Sequence, residues 1–363
     1  MSGRSSDAGA GRRRQMHLAV QFPGGCADFA AYERIARTAE RGKFDFCLLG
    51  DGDFAGGGGP DTVTVLSALA AVTHRIGLAA TATAVYSEPY EIARRIASLD
   101  HLSAGRAAWD MATSPDAYDS ANYRRGDFLP AVRRHERADE FVHTVRAVWD
   151  AWAPGAVAAD QAGGVFADPG GLRPFAFHGR YFSVSGHATL PRSPQGNPVL
   201  IHAGDADEAR DFGAAHADVV RTACTGLDEA RAFAADLEAR AAGHARGPGD
   251  VRVMLDAGFV LGGSEADARG RGLQAGLPDA DRPVFAGSAA HIAARMDAYV
   301  QEQACDGFVL QAADAPDGSG SAALTAFVDQ VVPLLRDRGS FRADYTGWTL
   351  RDHLGLPVPA PLP

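Results

Sequence analysis

Residues 76–114, IGLAATATAVYSEPYEIARRIASLDHLSAGRAAWDMATS, constrain this chain most. Residues 76–82 are a run of small and apolar residues, as in a strand buried on both faces. Ser87, Glu88, Pro89 and Glu91 suit the cap and first turn of a helix. Tyr90, Ile92, Ile96, Leu99 and Leu102 then recur at helical spacing, and Gly105 stops the helix. Residues 106–111 form the next strand. One helix joining two buried strands is a βαβ unit, whose strands must be parallel. Thr81, Thr83 and Asp110 fall at the carboxyl ends of those strands, where parallel α/β folds bind ligands.

The same alternation runs on. Strands are predicted at 16–22, 44–49, 76–82, 106–111, 199–203, 219–223, 251–260 and 307–311, with amphipathic helices between them. Eight such strands point to an α/β (β/α)8 barrel. Residues 1–15, rich in Gly, Ser and Arg, read as a disordered tail. Residues 16–357 read as a single domain. Residues 153–197 are rich in Gly, Pro and Ala, with aromatics at Phe175, Phe177, Tyr181 and Phe182. They read as an insertion at the carboxyl face.

A formal charge of −10 argues against a nucleic-acid binder, and no apolar run is long enough to span a membrane. Cys26, Cys47, Cys224 and Cys305 form no Cys-x-x-Cys pair, so reduced thiols in a cytoplasmic protein are expected. His17 and His202 fall on strands, but His17 is followed by Leu18-Ala19 and so lacks the His-x-His of metal-binding barrel hydrolases. No metal is expected. Phe54–Pro60 is glycine-rich without the Lys of a phosphate loop, and no Gly-x-Ser-x-Gly is present.

An ordered set of motifs carries a family resemblance: Tyr86-Ser-Glu-Pro-Tyr90, Ala93-Arg-Arg95, Leu99-Asp-His-Leu-Ser103, Gly105-Arg106 and Trp109-Asp110. It continues through Ala138-Asp-Glu-Phe141, Leu190-Pro-Arg-Ser-Pro-Gln-Gly196, Cys305-Asp-Gly-Phe308 and residues 349–357. The chain resembles the luciferase-like flavin-dependent monooxygenases, in the branch of nitrilotriacetate monooxygenase component A and the desulfurisation oxygenases. That resemblance implies a barrel fold and a two-component oxygenase. Reduced FMN would come from a separate flavin reductase, and O2 would oxygenate a small organic substrate. A homo-oligomer is implied as well.

The resemblance also assigns flavin contacts. An Asp after the second strand maps to Asp51, and a Thr or Ser after the third maps to Thr81, with Thr83 beside it. Asp110 stands where the family has Asn. A His before the long helix falls at Ala131, a Tyr at His135, and a Ser after the fifth strand at Ala206, next to Asp205. No catalytic residue is assigned. These departures keep two alternatives open: a catalytically weak or inactive paralogue serving as a binding or scaffold subunit, and a deazaflavin-dependent oxidoreductase.

Overall fold

The computed structural model describes residues 13–23, 28–50, 59–113, 131–274, 282–312 and 321–362. Strands β1 (His17–Gln21), β2 (Phe46–Leu49), β3 (Gly77–Thr83) and β4 (Ala107–Ala112) are followed in turn by helices α1 (Phe29–Arg41), α2 (Thr62–Ala70), α3 (Pro89–Leu102) and α4 (Ala131–Trp149). Each helix turns one apolar stripe to the strands. In α1 that stripe is Tyr32, Ile35, Ala36 and Ala39, and Asp28 caps the helix by accepting from the Ala30 N–H. Two antiparallel hairpins follow, β5 (Val157–Asp160) with β6 (Val165–Ala167) and β7 (Pro174–His178) with β8 (Ser183–His187). The barrel resumes with β9 (Val199–Ala203), α5 (Asp207–His216), β10 (Val219–Thr222), α6 (Leu227–Gly243), β11 (Arg252–Leu261), α7 (Glu265–Gln274), β12 (Val284–Gly287), α8 (Ala289–Gln301), β13 (Gly307–Ala312), α9 (Ser321–Asp337) and α10 (Leu350–Leu354).

The strand order β10-β9-β4-β3-β2-β1-β13-β11 is closed by a β10–β11 pairing, and every ladder is parallel. This is a closed eight-stranded (β/α)8 barrel, as the alternation predicts. β12 was not foreseen; it adds parallel to the outer half of β11. Inside the barrel, Ala19, Phe46, Leu48, Ala79, Ala108, Val199, Ile201, Val219, Met254 and Val309 form one apolar cluster. Leu350, Leu354 and Leu356 join it from below, so the short α10 region plugs the amino end of the barrel. Its Arg351 is buried. That guanidinium grips Asp218 at 2.8 and 3.1 Å and donates to the Asn197 carbonyl at 2.9 Å. A Cβ on Gly77 would lie 2.7 Å from Leu350, so the plug needs glycine at the start of β3.

The chain ahead of β1 departs from the tail reading in its last residues. Arg13 pairs with Asp297, Arg14 with Asp306 at 2.8 Å, and Gln15 donates to the Gly339 carbonyl. These partners lie more than 280 residues away, so local pattern carried no sign of them.

The 153–197 excursion joins a helix to the next strand, and such a connection is rooted at the amino end of the barrel. From there it climbs along α3 and α4, and its β7–β8 turn reaches the carboxyl side. Phe182 lies under the Arg137 guanidinium at 4.5 Å, and Arg137 also donates to the Ala84 carbonyl just past β3. The Glu140 carboxylate takes the N–H groups of Arg180, Tyr181 and Phe182 at 2.8, 2.7 and 3.3 Å. Phe175 and Phe182 are buried, while Phe177 and Tyr181 pack half-buried against the core. Removing the carboxylate with Glu140→Ala is expected to cost about 1–2 kcal/mol and to speed tryptic cleavage after Arg180. An unchanged cleavage rate would show that the turn is held by its aromatics alone. Among the described residues, no helix is long and apolar enough to cross a membrane.

Candidate functional site

Side chains alternate along a strand, so the residue two steps beyond each apolar lumen residue faces the same lumen nearer the carboxyl end. That step leads from Ala19 to Gln21, from Ala79 to Thr81, from Ala108 to Asp110, from Val219 to Arg221, from Met254 to Asp256 and from Val309 to Gln311. The apolar floor is therefore topped by a polar layer. Thr81 and Asp110 are register partners, and the Thr81 hydroxyl donates to Asp110 Oδ2 at 2.7 Å. Arg221 Nη1 donates to the same oxygen at 3.1 Å. Its Nε and Nη2 fork onto Asp256 at 3.0 and 2.9 Å, and Nη2 also reaches Gln21 at 3.5 Å. At the edge of the layer Arg282 donates to Gln311.

The charges in this layer are buried, and their energetics follow from that. The side chains of Arg221 and Asp110 are 9% and 8% exposed. Burial by itself would strip the proton from Arg221, but Asp256 and Asp110 hold its guanidinium above the ordinary range. Asp256 is raised as well: burial lifts its carboxyl above the usual carboxylate range although Arg221 pulls it down. One cation thus serves two carboxylates. Because Thr81 gives its proton to Asp110, its oxygen is left as an acceptor.

The flavin-contact positions implied by the sequence resemblance divide as follows. Thr81 and Asp110 meet in the lumen. The Thr83 hydroxyl instead accepts the Val85 N–H at 3.1 Å, so it closes its own turn. Asp51 and the glycine-rich loop through residue 58 lie outside the described residues, as does the Ala131 side chain, although Ala131 begins α4. One turn on, His135 packs edge-on to His202 with ring centroids 6.4 Å apart and lies 6.0 Å from Phe212. Ala206 is the residue before α5 and gives no side-chain cap, so the first N–H groups of that helix are left to an outside acceptor. Asp205, adjacent to it, accepts from the Thr222 hydroxyl at the end of β10. A Cβ on Gly204 would sit 2.5 Å from that of Ala209, so only glycine lets β9 turn this closely into α5.

His17 and His202 are at opposite ends of the barrel and form no common site. His17 Nδ1 meets Asp45 at 3.0 Å near the plug, and His202 faces outward from the barrel, with Nδ1 on the Met111 carbonyl at 3.3 Å. Arg221, Asp256 and Gln21 were not singled out in the sequence. A signal was present: Val219-Val-Arg-Thr222 and Met254-Leu-Asp-Ala257 set a charge inside strands that are otherwise apolar. A charge there needs a partner on another strand, which Arg221 finds on the neighbouring β11 and on β4.

The sequence profile of the luciferase-like monooxygenases matches residues 8–306. The chain is 32% identical to N-acetyl-S-(2-succino)cysteine monooxygenase of Bacillus subtilis (strain 168), over 90% of each protein. It is 31% identical to nitrilotriacetate monooxygenase component A of Aminobacter aminovorans, over 93% of this chain and 92% of that protein. In three dimensions it superposes on the EDTA monooxygenase of Chelativorans sp. BNC1 with a TM-score of 0.83 and 27% identity, covering 95% of this chain and 99% of the other.

Proposed function

Since the chain belongs to the luciferase-like monooxygenase family, we propose that it is an FMN-dependent monooxygenase. In this reading a separate reductase supplies reduced FMN, and O2 is used to oxygenate a small organic molecule. The observation that carries the reading is the polar layer of Thr81, Asp110, Arg221 and Asp256 at the carboxyl end of a closed barrel.

The residues present fit such a cofactor. The open N–H groups at the start of α5, behind Ala206, suit a phosphate. The carboxylate of Asp205 is held by Thr222, which lessens its repulsion of an anion there. Thr81 offers an acceptor and Asp110 a compensated carboxylate to a polar ring edge, while His135 packs against the outward-facing His202. When bound, reduced FMN supplies the activation of O2. The chain's own part is to bind, to orient and to exclude water: Arg221 locks Asp110 in place, and the apolar floor below keeps the lumen dry.

The test is an anaerobic titration of the purified chain with reduced and oxidised FMN, followed by oxygen uptake when a flavin reductase is added. Saturable binding of reduced FMN is expected, and the protein should be isolated colourless. Ala131→His with Ala206→Ser should tighten FMN at least tenfold, since a hydrogen bond to a charged group contributes about 1.5–3 kcal/mol and about 1.4 kcal/mol is a tenfold change. Binding of a deazaflavin in preference to FMN would move the chain to the deazaflavin reading. Binding of neither would favour the inactive paralogue.

A further inference from the structure

On the outer face of the barrel, away from the polar layer, α4 and α5 bring three donor groups together. Asp139 and His143 are four residues apart on α4 and so share a face, the spacing by which one helix offers two ligands to a metal. His216 is the last residue of α5. One ligand atom from each lies within 4.8 Å of the other two. His216 Nε2 is 2.7 Å from Asp139 Oδ1, and His143 Nδ1 is 3.4 Å from Asp139 Oδ2. The two imidazoles stand edge to face with centroids 5.3 Å apart.

We infer that Asp139, His143 and His216 form a binding site for a divalent transition ion of the zinc type, with water completing the coordination. Four ligand atoms about 2.0–2.1 Å from a tetrahedral ion lie about 3.3–3.4 Å from one another, close to the spacing of the cluster, and binding replaces the hydrogen bond that His143 Nδ1 makes to the Asp139 carbonyl at 2.8 Å. Two imidazole nitrogens and a carboxylate oxygen suit zinc rather than calcium or magnesium, which prefer all-oxygen sites.

The His216 ring is pre-placed. It is more than nine-tenths buried and packs against Phe212 at 4.9 Å, and its Nδ1 has no hydrogen-bond partner among the described residues, so its polar reach is confined to the Nε2 edge. The nearby cation, Arg146, is anchored to the His216 carbonyl at 2.7 Å rather than to the carboxylate. The side chains of Asp139 and His143 are each about half exposed, which leaves the entry side open to an arriving ion. An ion here would tie the middle of α4 to the end of α5.

The untagged full-length chain is titrated with Zn2+ against a chromophoric chelator, and with Co2+ as a spectroscopic probe of geometry. The expected result is one Zn2+ per chain and the intense visible absorption of four-coordinate Co2+. His143→Ala and Asp139→Asn should each weaken binding at least tenfold. Both side chains are half exposed, and far-ultraviolet circular dichroism checks that the variants fold. His244→Ala, which breaks a comparable surface pair with Asp211, should leave binding unchanged. Absence of stoichiometric Zn2+ binding overturns the inference. So does binding that survives both α4 substitutions, or that is lost equally with His244→Ala. None of these readouts depends on flavin or on turnover, so they stand apart from the test of the monooxygenase reading.

Discussion

Arg221→Ala is expected to cost the fold about 3–5 kcal/mol, read as a large fall in the urea midpoint at pH 7. The size follows from what is left behind. Asp110 and Asp256 would remain in the barrel lumen without the only cation that both of them bond among the described residues. Removing one partner of a buried ion pair strands the other charge, and that penalty exceeds the worth of the pair itself. Arg221→Lys keeps the charge but loses the fork that spans two carboxylates, so it should fall between the wild type and alanine. The deficit of the alanine variant relative to wild type should shrink as the pH falls and Asp256, already raised by its burial, takes up a proton. A loss below about 1 kcal/mol at pH 7 would mean that water or structural relaxation already solvates the layer, and the reading of a dry, charge-compensated lumen would fail.

The second large effect is acid lability set by two buried histidines. Among the described residues, His202 has one nitrogen on the Met111 carbonyl and the other, Nε2, buried without a partner. His353 repeats this, with Nε2 on the Gly347 carbonyl at 3.3 Å and Nδ1 buried without a partner. A carbonyl accepts, so in each ring the bonded nitrogen carries the proton and the bare one is the acceptor. Adding a second proton would bury an unpaired cation, and burial accordingly lowers both rings to about 4 from 6.5. The folded values lie below the unfolded ones. The stability they confer is therefore complete above about pH 6.5 and is lost as the pH falls through about 4. Each ring contributes a slope of about 1.4 kcal/mol per pH unit, and so about 3 kcal/mol over the window.

Asp45 does not offset this loss. Its burial is outweighed by Arg342 and His17, which bring it to about 2, so its share fails only at still lower pH. Urea midpoints at pH 7, 6 and 5 should fall steeply, and His202→Gln should make that slope clearly shallower. Equal midpoints at pH 7 and pH 5 would refute the neutral, partnerless assignment of both rings.

The sequence was informative wherever the determining interaction is local. Small apolar runs such as Ala79–Ala80 fit only a strand buried on both faces, and the stripe Ile92, Ile96, Leu99 fixes one face of α3. These patterns gave the eight barrel strands in order, and the alternation along β3 put Thr81 on the face where it meets Asp110. The motif set of residues 86–110 pointed to the family by the same local means.

What the sequence left unread depends on distance along the chain. Asp110 and Arg221 are 111 residues apart, and each by itself is only a charge in an apolar strand. They become partners because β9 pairs with both β4 and β10, which sets their lumen-facing side chains two strands apart on one wall of the barrel. The α10 plug, the anchoring of Arg13 and Arg14, and the meeting of Asp139 and His143 with His216 are of the same kind. Periodicity states which face a residue occupies. Which other face it meets is fixed only when parallel pairing closes the ring, because that step balances loop-closure entropy and burial over the whole chain rather than over any window of it.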